Sequence, residues 1–129
     1  MTAAVSRRIL VVDDNMDGAE ALAIVLRMAG HETRLAHSGP ETLALVDEFR
    51  PEVIFLDLGM PSMDGFETAR EIRLRRHLDG TLLVAMTGYG QDAARQRARE
   101  IGFDEYLVKP AIPEMIRALA QKSRSTPSA

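Results

Sequence analysis

The chain has no cysteine, and its only aromatic side chains are two tyrosines and four phenylalanines among 129 residues. Without cysteine there is no disulfide framework, no thiolate nucleophile and no cysteine-ligated zinc site. A net charge of −3 gives no general attraction to phosphate backbones, and the sequence shows no interleaving of aromatic and basic residues for base stacking. Nucleic acid is therefore not an expected partner.

Long hydrophobic runs are also missing. The positively charged start, residues 1–8, is followed by an apolar run of only residues 9–12 before Asp13, which is too short for a signal peptide. Later apolar runs, such as 53–56 and 82–86, fall far below the ~18 residues that a membrane-spanning helix needs. We therefore expect a soluble, cytoplasmic protein without a membrane partner.

The length matches one ordinary domain, which must then carry the function by itself. Hydrophobic residues make up 46% and charged residues 27%, as in globular proteins. From Gln121 onward the sequence becomes polar and loses its periodicity. We therefore predict one domain over residues 1–121 and a polar tail, or the start of a linker, over residues 122–129.

Short apolar runs alternate with segments of helical spacing. The runs, together with one weaker alternating segment, predict strands at 9–12, 32–36, 53–56, 82–86 and 106–108. Ser38 and Glu41 are spaced as in a capping box, and Gly30 and Gly102 stand where helices are expected to end. This alternation predicts a (βα)5 fold of the doubly wound α/β class, with a parallel sheet covered by helices on both faces.

Polar residues directly follow the predicted strands, and ligands of open α/β sheets bind at the carboxyl ends of strands. These residues are Asp13, Asp14, Asp57, Thr87 and Lys109. Three carboxylates in one crevice repel one another, so we expect a cation among them. Oxygen ligands suit magnesium, with manganese as an alternative ion, and Lys109 adds a second positive charge.

This set of residues is also suited to phosphoryl chemistry. A carboxylate can attack phosphorus to give an aspartyl-phosphate, while a metal ion, an ammonium group and a hydroxyl group stabilise the charge on the phosphoryl oxygens. The residue types and their spacing do not by themselves say which carboxylate attacks.

Four separated segments closely resemble the response-regulator receiver family. They are Val-Val-Asp-Asp-Asn at 11–15, Leu-Asp-Leu-Gly-Met-Pro-Ser-Met-Asp-Gly at 56–65, Met-Thr-Gly-Tyr at 86–89 and Tyr-Leu-Val-Lys-Pro at 106–110. Their order and separations match as well, and the resemblance runs from about residue 8 to residue 119. It implies a flavodoxin-like strand order, 2-1-3-4-5, and a cis peptide bond between Lys109 and Pro110.

The resemblance further implies a role for each site residue. Asp57 would accept the phosphoryl group, and magnesium would be bound by Asp14, Asp57 and the carbonyl group of Gly59, with Asp13 acting mainly through metal-bound water. Lys109 and Thr87 would contact the phosphoryl oxygens.

Thr87 also matches one half of the family's coupled switch pair, of which Tyr106 is the other half. In that pair the threonine hydroxyl moves toward the phosphoryl group and the aromatic ring turns inward.

The expected function is therefore that of a phosphoacceptor receiver in a two-component phosphorelay. Its partners would be a histidine kinase or phosphotransfer protein, which supplies the phosphoryl group from a phosphohistidine, and a downstream protein that the sequence does not identify. The chain would catalyse its own phosphorylation and dephosphorylation at Asp57 without being an enzyme in the ordinary sense.

Three alternatives are a receiver domain that belongs to a hybrid histidine kinase, a phosphorylation-independent adaptor and a phosphatase of the haloacid-dehalogenase-like kind. Gly59 argues against the phosphatase, because those enzymes usually place a second acid two residues after the nucleophile.

The remaining basic residues are predicted to be solvated. We expect His31, His37 and His77 at the surface, and the arginines of the third and fourth predicted helices on a solvated face. These arginines are Arg70, Arg73, Arg75, Arg76, Arg95, Arg97 and Arg99.

Overall fold

The computed structural model describes residues 5–59, 65–88 and 92–124, with only the backbone described at 92–94. Strands and helices alternate along the chain. They are β1 (Arg8–Val12), α1 (Met16–Met28), β2 (Glu32–Ala36), α2 (Gly39–Phe49), β3 (Val53–Asp57), α3 (Gly65–Arg73), β4 (Leu82–Thr87), α4 (Asp92–Ile101), β5 (Glu105–Val108) and α5 (Pro113–Ala120), with a short 3₁₀ helix at Arg76–Leu78. The predicted strands are confirmed, each to within one residue at either end. Within the described ranges no helix is long and apolar enough to cross a bilayer.

The five strands form one parallel sheet in the order β2-β1-β3-β4-β5, which confirms the order that the resemblance implied. The connection from β1 leads to β2 at one edge of the sheet. The later connections place β3, β4 and β5 on the other side of β1. The winding therefore reverses between β1 and β3, and a crevice opens at that point beyond the carboxyl ends of the strands. The residues that follow β1 meet the last residue of β3 there.

Two apolar layers lie on the two faces of the sheet. Val11 and Phe55 are wholly buried on the face that α1 and α5 cover, and Leu10 and Leu56 are wholly buried on the face that α2, α3 and α4 cover. Because successive side chains of a strand point to opposite faces, a strand covered on both sides must be apolar at every position. This explains the unbroken apolar runs of the sequence.

The predicted capping box of α2 is present in a shifted form. The Ser38 hydroxyl accepts a hydrogen bond from the Glu41 N–H group over 3.2 Å, as predicted. The Glu41 carboxylate accepts from the N–H group of His37 over 3.3 Å, one residue before the serine. Gly30 and Gly102 follow the last turns of α1 and α4 with φ angles of +96° and +124°, a region that favours glycine.

The surface prediction is wrong for His31. Its side chain is buried, because the loop after α1 is covered by the residues before β1 and by the end of α5. The Nδ1 atom accepts a hydrogen bond from the Arg7 N–H group over 3.0 Å, and the Nε2 atom lies 3.3 Å from Nε2 of Gln121. Burial lowers the pKa of His31, and the positive charge of Arg7 lowers it further. His77 is exposed, as predicted.

The prediction of a solvated arginine face is wrong for Arg73, whose side chain is only 11% exposed. Its guanidinium group donates to Asp104 Oδ2 over 2.7 Å and to the carbonyl oxygens of Leu78, Thr81 and Gly102. Burial lowers the pKa of Arg73 to about 10, and the charge of Asp104 opposes that effect.

Asp104 connects three parts of the chain at the amino end of the sheet. Besides Arg73, its carboxylate accepts hydrogen bonds from the N–H group of Leu83 and from the Arg124 side chain, both over 2.9 Å. Arg124 also donates to the carbonyl oxygen of Asp79 over 2.7 Å. The residues that follow α5 are thereby attached to the entrance of β4.

We predict that the His31→Gln substitution makes the stability of the protein less dependent on pH at acidic pH. Histidine in an unfolded chain has a pKa of about 6.5, and the folded-state pKa of His31 lies below that value. As the pH falls below about 6.5, the unfolded state takes up more protons than the native state, so the wild type loses stability. The thermal unfolding midpoint should therefore fall more steeply with decreasing pH in the wild type than in the variant. Parallel profiles would contradict this account of His31.

The Asp104→Asn substitution should destabilise the protein by about 3–5 kcal/mol in urea denaturation, because it leaves the buried Arg73 charge without its carboxylate partner while three carbonyl contacts remain. Asp47→Asn is the matched control, since Asp47 is the half-exposed partner of Arg75. Loss of the ion pair between Asp47 and Arg75 should lower the free energy of unfolding by less than about 1 kcal/mol. Equal losses in the two variants would show that the Asp104 network adds nothing beyond a surface ion pair.

Candidate functional site

Three carboxylates meet at the carboxyl end of the sheet, as the sequence predicted. Asp13 and Asp14 directly follow β1, and Asp57 is the last residue of the neighbouring strand β3. One carboxylate oxygen from each residue lies within 4.8 Å of the other two. Asp13 and Asp57 are buried, with 3% and 6% exposure, and Asp14 is half-exposed. The cluster therefore combines close like charges with partial removal from water.

Hydrogen bonds on every side orient Asp13. Its Oδ1 atom accepts from the Asn15 N–H group over 3.0 Å, and its Oδ2 atom accepts from Lys109 Nζ over 2.9 Å. Its N–H group donates to the Ala36 carbonyl oxygen over 3.1 Å, and its own carbonyl oxygen lies 2.9 Å from Nδ1 of His37. His37 is thus half-buried and bonded beside the cluster, so its predicted place at the solvated surface is only partly right.

Asp57 is fixed by the turn that follows it and by the start of α3. Its Oδ1 atom accepts from the Gly59 N–H group over 2.9 Å, and its Oδ2 atom accepts from Lys109 Nζ over 3.0 Å. A Cβ atom on Gly65 would lie 3.1 Å from the Asp57 carbonyl oxygen and 3.0 Å from Leu58 Cδ2. The absence of a side chain at position 65 therefore lets α3 begin close to the backbone at the end of β3.

Lys109 bridges two of the three carboxylates from the end of β5. Its backbone N–H group donates to the Thr87 carbonyl oxygen over 2.8 Å, which ties it to β4. The peptide bond to Pro110 is cis, as the resemblance implied. The ammonium group contacts Asp13 and Asp57 on its inner side, while 38% of the side chain remains exposed.

Burial, hydrogen bonds and neighbouring charges shift the pKa values of Asp57 and Lys109. Burial raises the pKa of Asp57, and the neighbouring charge of Asp13 raises it further, against the opposing hydrogen bonds from Gly59 and Lys109. Burial works to lower the pKa of Lys109, but its hydrogen bonds to the two carboxylates outweigh burial, and the pKa is raised. One ammonium charge balances one carboxylate, so the cluster keeps a negative charge that a cation would offset.

Thr87 places a hydroxyl group at the same end of the sheet. Its side chain is 1% exposed, and its Oγ1 atom has no hydrogen-bond partner in the part of the chain that the structure describes. A buried hydroxyl without a partner costs about 1–3 kcal/mol. Such a group is suited to a ligand oxygen that can accept its hydrogen bond.

Tyr106 lies on the strand next to Thr87. It pairs with Ala85 in the β4–β5 ladder, and Ala85 precedes Thr87 by two residues on the same face of the sheet. The ring is half-buried, and the guanidinium carbon of Arg95 lies 4.4 Å from its centroid. The two residues predicted as a switch pair are therefore neighbours across two strands.

The cluster fits a hard cation. Its ligand atoms are carboxylate oxygens, with no histidine in the group, and such ligands suit magnesium or manganese better than zinc. The Gly59 carbonyl stays a predicted fourth ligand. Residues 60–64 and Tyr89, which belong to the sequence motifs of the site, lie outside the described residues.

Sequence reasoning missed the residues that orient Asp13. Asn15 carried a signal, since an asparagine directly before a helical segment is a preferred N-cap, and its Oδ1 atom does accept from the Gly18 N–H group over 3.0 Å. His37 carried none, because its contact with Asp13 depends on the pairing of β1 with β2.

Comparison with known proteins gives one consistent result. A family model described as the response regulator receiver domain matches residues 9–121. An uncharacterized 14.6 kDa protein from the sodA1 3' region of Leptolyngbya boryana is 36% identical over 114 residues, which are 88% of this chain and 87% of that protein. The DNA-binding response regulator MtrA of Mycolicibacterium paratuberculosis is 37% identical over 112 residues, 87% of this chain and 48% of that protein. This chain thus spans about half the length of MtrA.

The architecture has a similarly clear counterpart among solved structures. The chemotaxis response regulator CheY4 of Vibrio cholerae superimposes with a TM-score of 0.82 at 29% identity. The superposition covers 91% of this chain and 98% of that one.

Magnesium should raise the thermal unfolding midpoint, because an ion that binds only the folded cluster stabilises the folded state. A concentration about ten times the dissociation constant should give a shift of roughly 3–6 °C. Asp13→Asn should reduce the shift, whereas Asp104→Asn, which changes a carboxylate at the opposite end of the sheet, should keep it. No shift at millimolar magnesium, or the same shift in Asp13→Asn, would count against a metal site in this cluster.

Proposed function

Because this chain belongs to the response regulator receiver domain family of two-component signalling, we propose that it is a phosphorelay acceptor and that Asp57 receives the phosphoryl group. The observation that carries the proposal is that Asp57, Lys109 and the Thr87 hydroxyl group, which has no hydrogen-bond partner among the described residues, lie at one end of the sheet. Lys109 is bonded to both Asp13 and Asp57, and of these two Asp57 is the one that ends the central strand of the sheet and stands at the acceptor position of the family motif.

In the proposed transfer, a carboxylate oxygen of Asp57 forms a bond to phosphorus while the phosphorus–nitrogen bond of a phosphohistidine breaks. The leaving imidazole nitrogen keeps the electron pair of that bond and takes up a proton. Lys109 then balances charge on the phosphoryl oxygens instead of charge on the free carboxylate. The Thr87 hydroxyl gains a phosphoryl oxygen as its acceptor, which removes the cost of an unpartnered buried donor.

The metal-binding set of the proposal is Asp13, Asp14, Asp57 and the Gly59 carbonyl, with magnesium as the ion and manganese as the alternative. A bound cation supplies positive charge that offsets the carboxylates and the incoming phosphoryl oxygens. In this proposal the chain promotes its own phosphorylation and dephosphorylation and does not turn over a separate substrate.

The phosphodonor would be a histidine kinase or a phosphotransfer protein. A cavity of about 580 Å³ lies next to Asp13 and Lys109, between α1 and α5. Asn15 lines this cavity, and the next residue, Met16 in the first turn of α1, is 64% exposed. An exposed apolar side chain close to the acceptor favours contact with a donor protein at this face.

The output would be a protein contact, controlled through Thr87 and Tyr106. MtrA is named as DNA-binding, but this chain covers 48% of it, and its own net charge of −3 does not favour DNA. In this proposal the receiver domain spans residues 1–121, and residues 122–129 are a polar tail or the start of a linker. The protein would act in the cytoplasm, where kinases replenish phosphohistidine. A place within a longer protein such as a hybrid kinase is equally compatible with these motifs.

Intact-mass analysis tests the proposal. The wild type and Asp57→Asn are incubated with acetyl phosphate or phosphoramidate, with and without magnesium, and circular dichroism verifies that the variant is folded. We expect one phosphoryl adduct on the wild type that depends on magnesium and is missing from the variant. An adduct that persists in Asp57→Asn would move the acceptor to another residue. No adduct from either donor would favour a phosphorylation-independent adaptor.

A further inference from the structure

Two arginines of α4 lie over aromatic rings of other elements. The guanidinium carbon of Arg95 is 4.4 Å from the centroid of Tyr106 on β5, and that of Arg97 is 4.2 Å from the centroid of Phe66 on α3. Both distances fall within the ~6 Å over which a cation is attracted to a ring face. Both arginines are exposed, whereas Ala98, the residue after Arg97, is buried. These two contacts join α4 to its neighbours beside a small apolar core.

Tyr106 lies beside small residues on the path toward Thr87. Ala85 is its partner in the ladder, and Ala98 belongs to the same apolar layer. Thr87 lies beyond Ala85 on that face, with its hydroxyl group unpartnered among the described residues. An inward turn of the ring toward Thr87 therefore passes Ala85 and takes the face of the ring away from the Arg95 guanidinium.

We propose that Arg95 is a positioning residue, which holds the Tyr106 ring in its resting place and thereby sets how readily the switch responds to a phosphoryl group. The inference rests on the proposed function. The contact between Arg95 and the ring exists in the resting arrangement and is lost in the inward one. A ligand that favours the inward arrangement must overcome that attraction. Its apparent affinity is the intrinsic affinity multiplied by the fraction of molecules already in the inward arrangement, and Arg95 lowers that fraction.

Arg99 provides a matched control within the same helix. It is exposed, carries the same charge one turn further along α4 and lines the same groove of about 250 Å³ with Arg95, Glu105 and Tyr106. Within the described ranges the ring contacts of α4 are those of Arg95 and Arg97. Loss of Arg99 therefore removes a charge without removing a ring contact.

The experiment titrates the full chain with beryllofluoride, a phosphoryl mimic, in the presence of magnesium. Binding is followed by calorimetry and by NMR of carbon-13-labelled tyrosine rings, with Tyr89→Phe used to assign the signal of Tyr106. Arg95→Met should bind beryllofluoride about two- to fivefold more tightly than the wild type, as expected for loss of one exposed cation–π contact. Arg95→Lys should stay close to the wild type, because an ammonium group keeps the charge over the ring.

An altered affinity of Arg95→Met for beryllofluoride could come from the lost ring contact or from the lost positive charge. These two causes change the affinity in opposite directions. Removing a positive charge near an anion site weakens anion binding in general, so Arg99→Met should bind equally or more weakly. In a Tyr106→Leu background, Arg95→Met should have no further effect, because the ring is already missing. Tighter binding of Arg99→Met than of the wild type, or of the Arg95→Met, Tyr106→Leu double variant than of Tyr106→Leu alone, would overturn the role of the contact between Arg95 and the ring.

Failure of the inference can be distinguished from failure of the proposed function. If the wild type binds beryllofluoride and Arg95→Met binds it equally well, the positioning role of Arg95 is overturned and the acceptor role of Asp57 stands. If the wild type does not bind beryllofluoride with magnesium, the proposed function is overturned and the inference with it.

Discussion

Repulsion among Asp13, Asp14 and Asp57 is the constraint on which the rest of the structure depends. The parallel pairing of β1 with β3 forces these carboxylates together, and the apolar layers on both faces of the sheet keep the strands in that arrangement. Lys109 offsets part of the charge, and backbone N–H groups of Asn15 and Gly59 orient two of the carboxylates. The core thus stabilises a cluster of like charges that is unfavourable by itself, and added positive charge would relieve the repulsion.

The two ends of the sheet differ in whether their buried polar groups have partners. At the amino end, Arg73 and Asp104 satisfy each other and several backbone groups, so little remains for a ligand to gain. At the carboxyl end, the Thr87 hydroxyl has no partner among the described residues, and the carboxylates outnumber the ammonium group that contacts them. The buried polar groups at the amino end of the sheet are thus paired with one another, whereas the carboxyl end retains excess negative charge and a hydroxyl group that a ligand could pair with.

Much of the fold followed from the sequence because the sheet is covered on both faces. Apolar runs then coincide with strands, and the residues after them coincide with the site, as Asp57 and Lys109 show. The burial of His31 and Arg73 could not be predicted, since it depends on Arg7, Gln121 and Asp104, which are distant in sequence. The displaced capping bond of Glu41 depends on local backbone geometry that the spacing does not determine. The acceptor and metal-ligand roles proposed for the individual carboxylates came from the family resemblance and not from spacing.

The residues before β1 and after α5 are bound to each other. The backbone of Val5 exchanges two hydrogen bonds with the Gln121 amide group, and Arg7 donates to the carbonyl oxygen of Lys122. Both segments therefore leave the domain side by side, at the amino end of the sheet and away from Asp57. A short peptide bridge between them would allow circular permutation, with new termini opened in a surface loop elsewhere. For the same reason, a tag or a surface anchor at either end would leave the acidic crevice open to a docking protein.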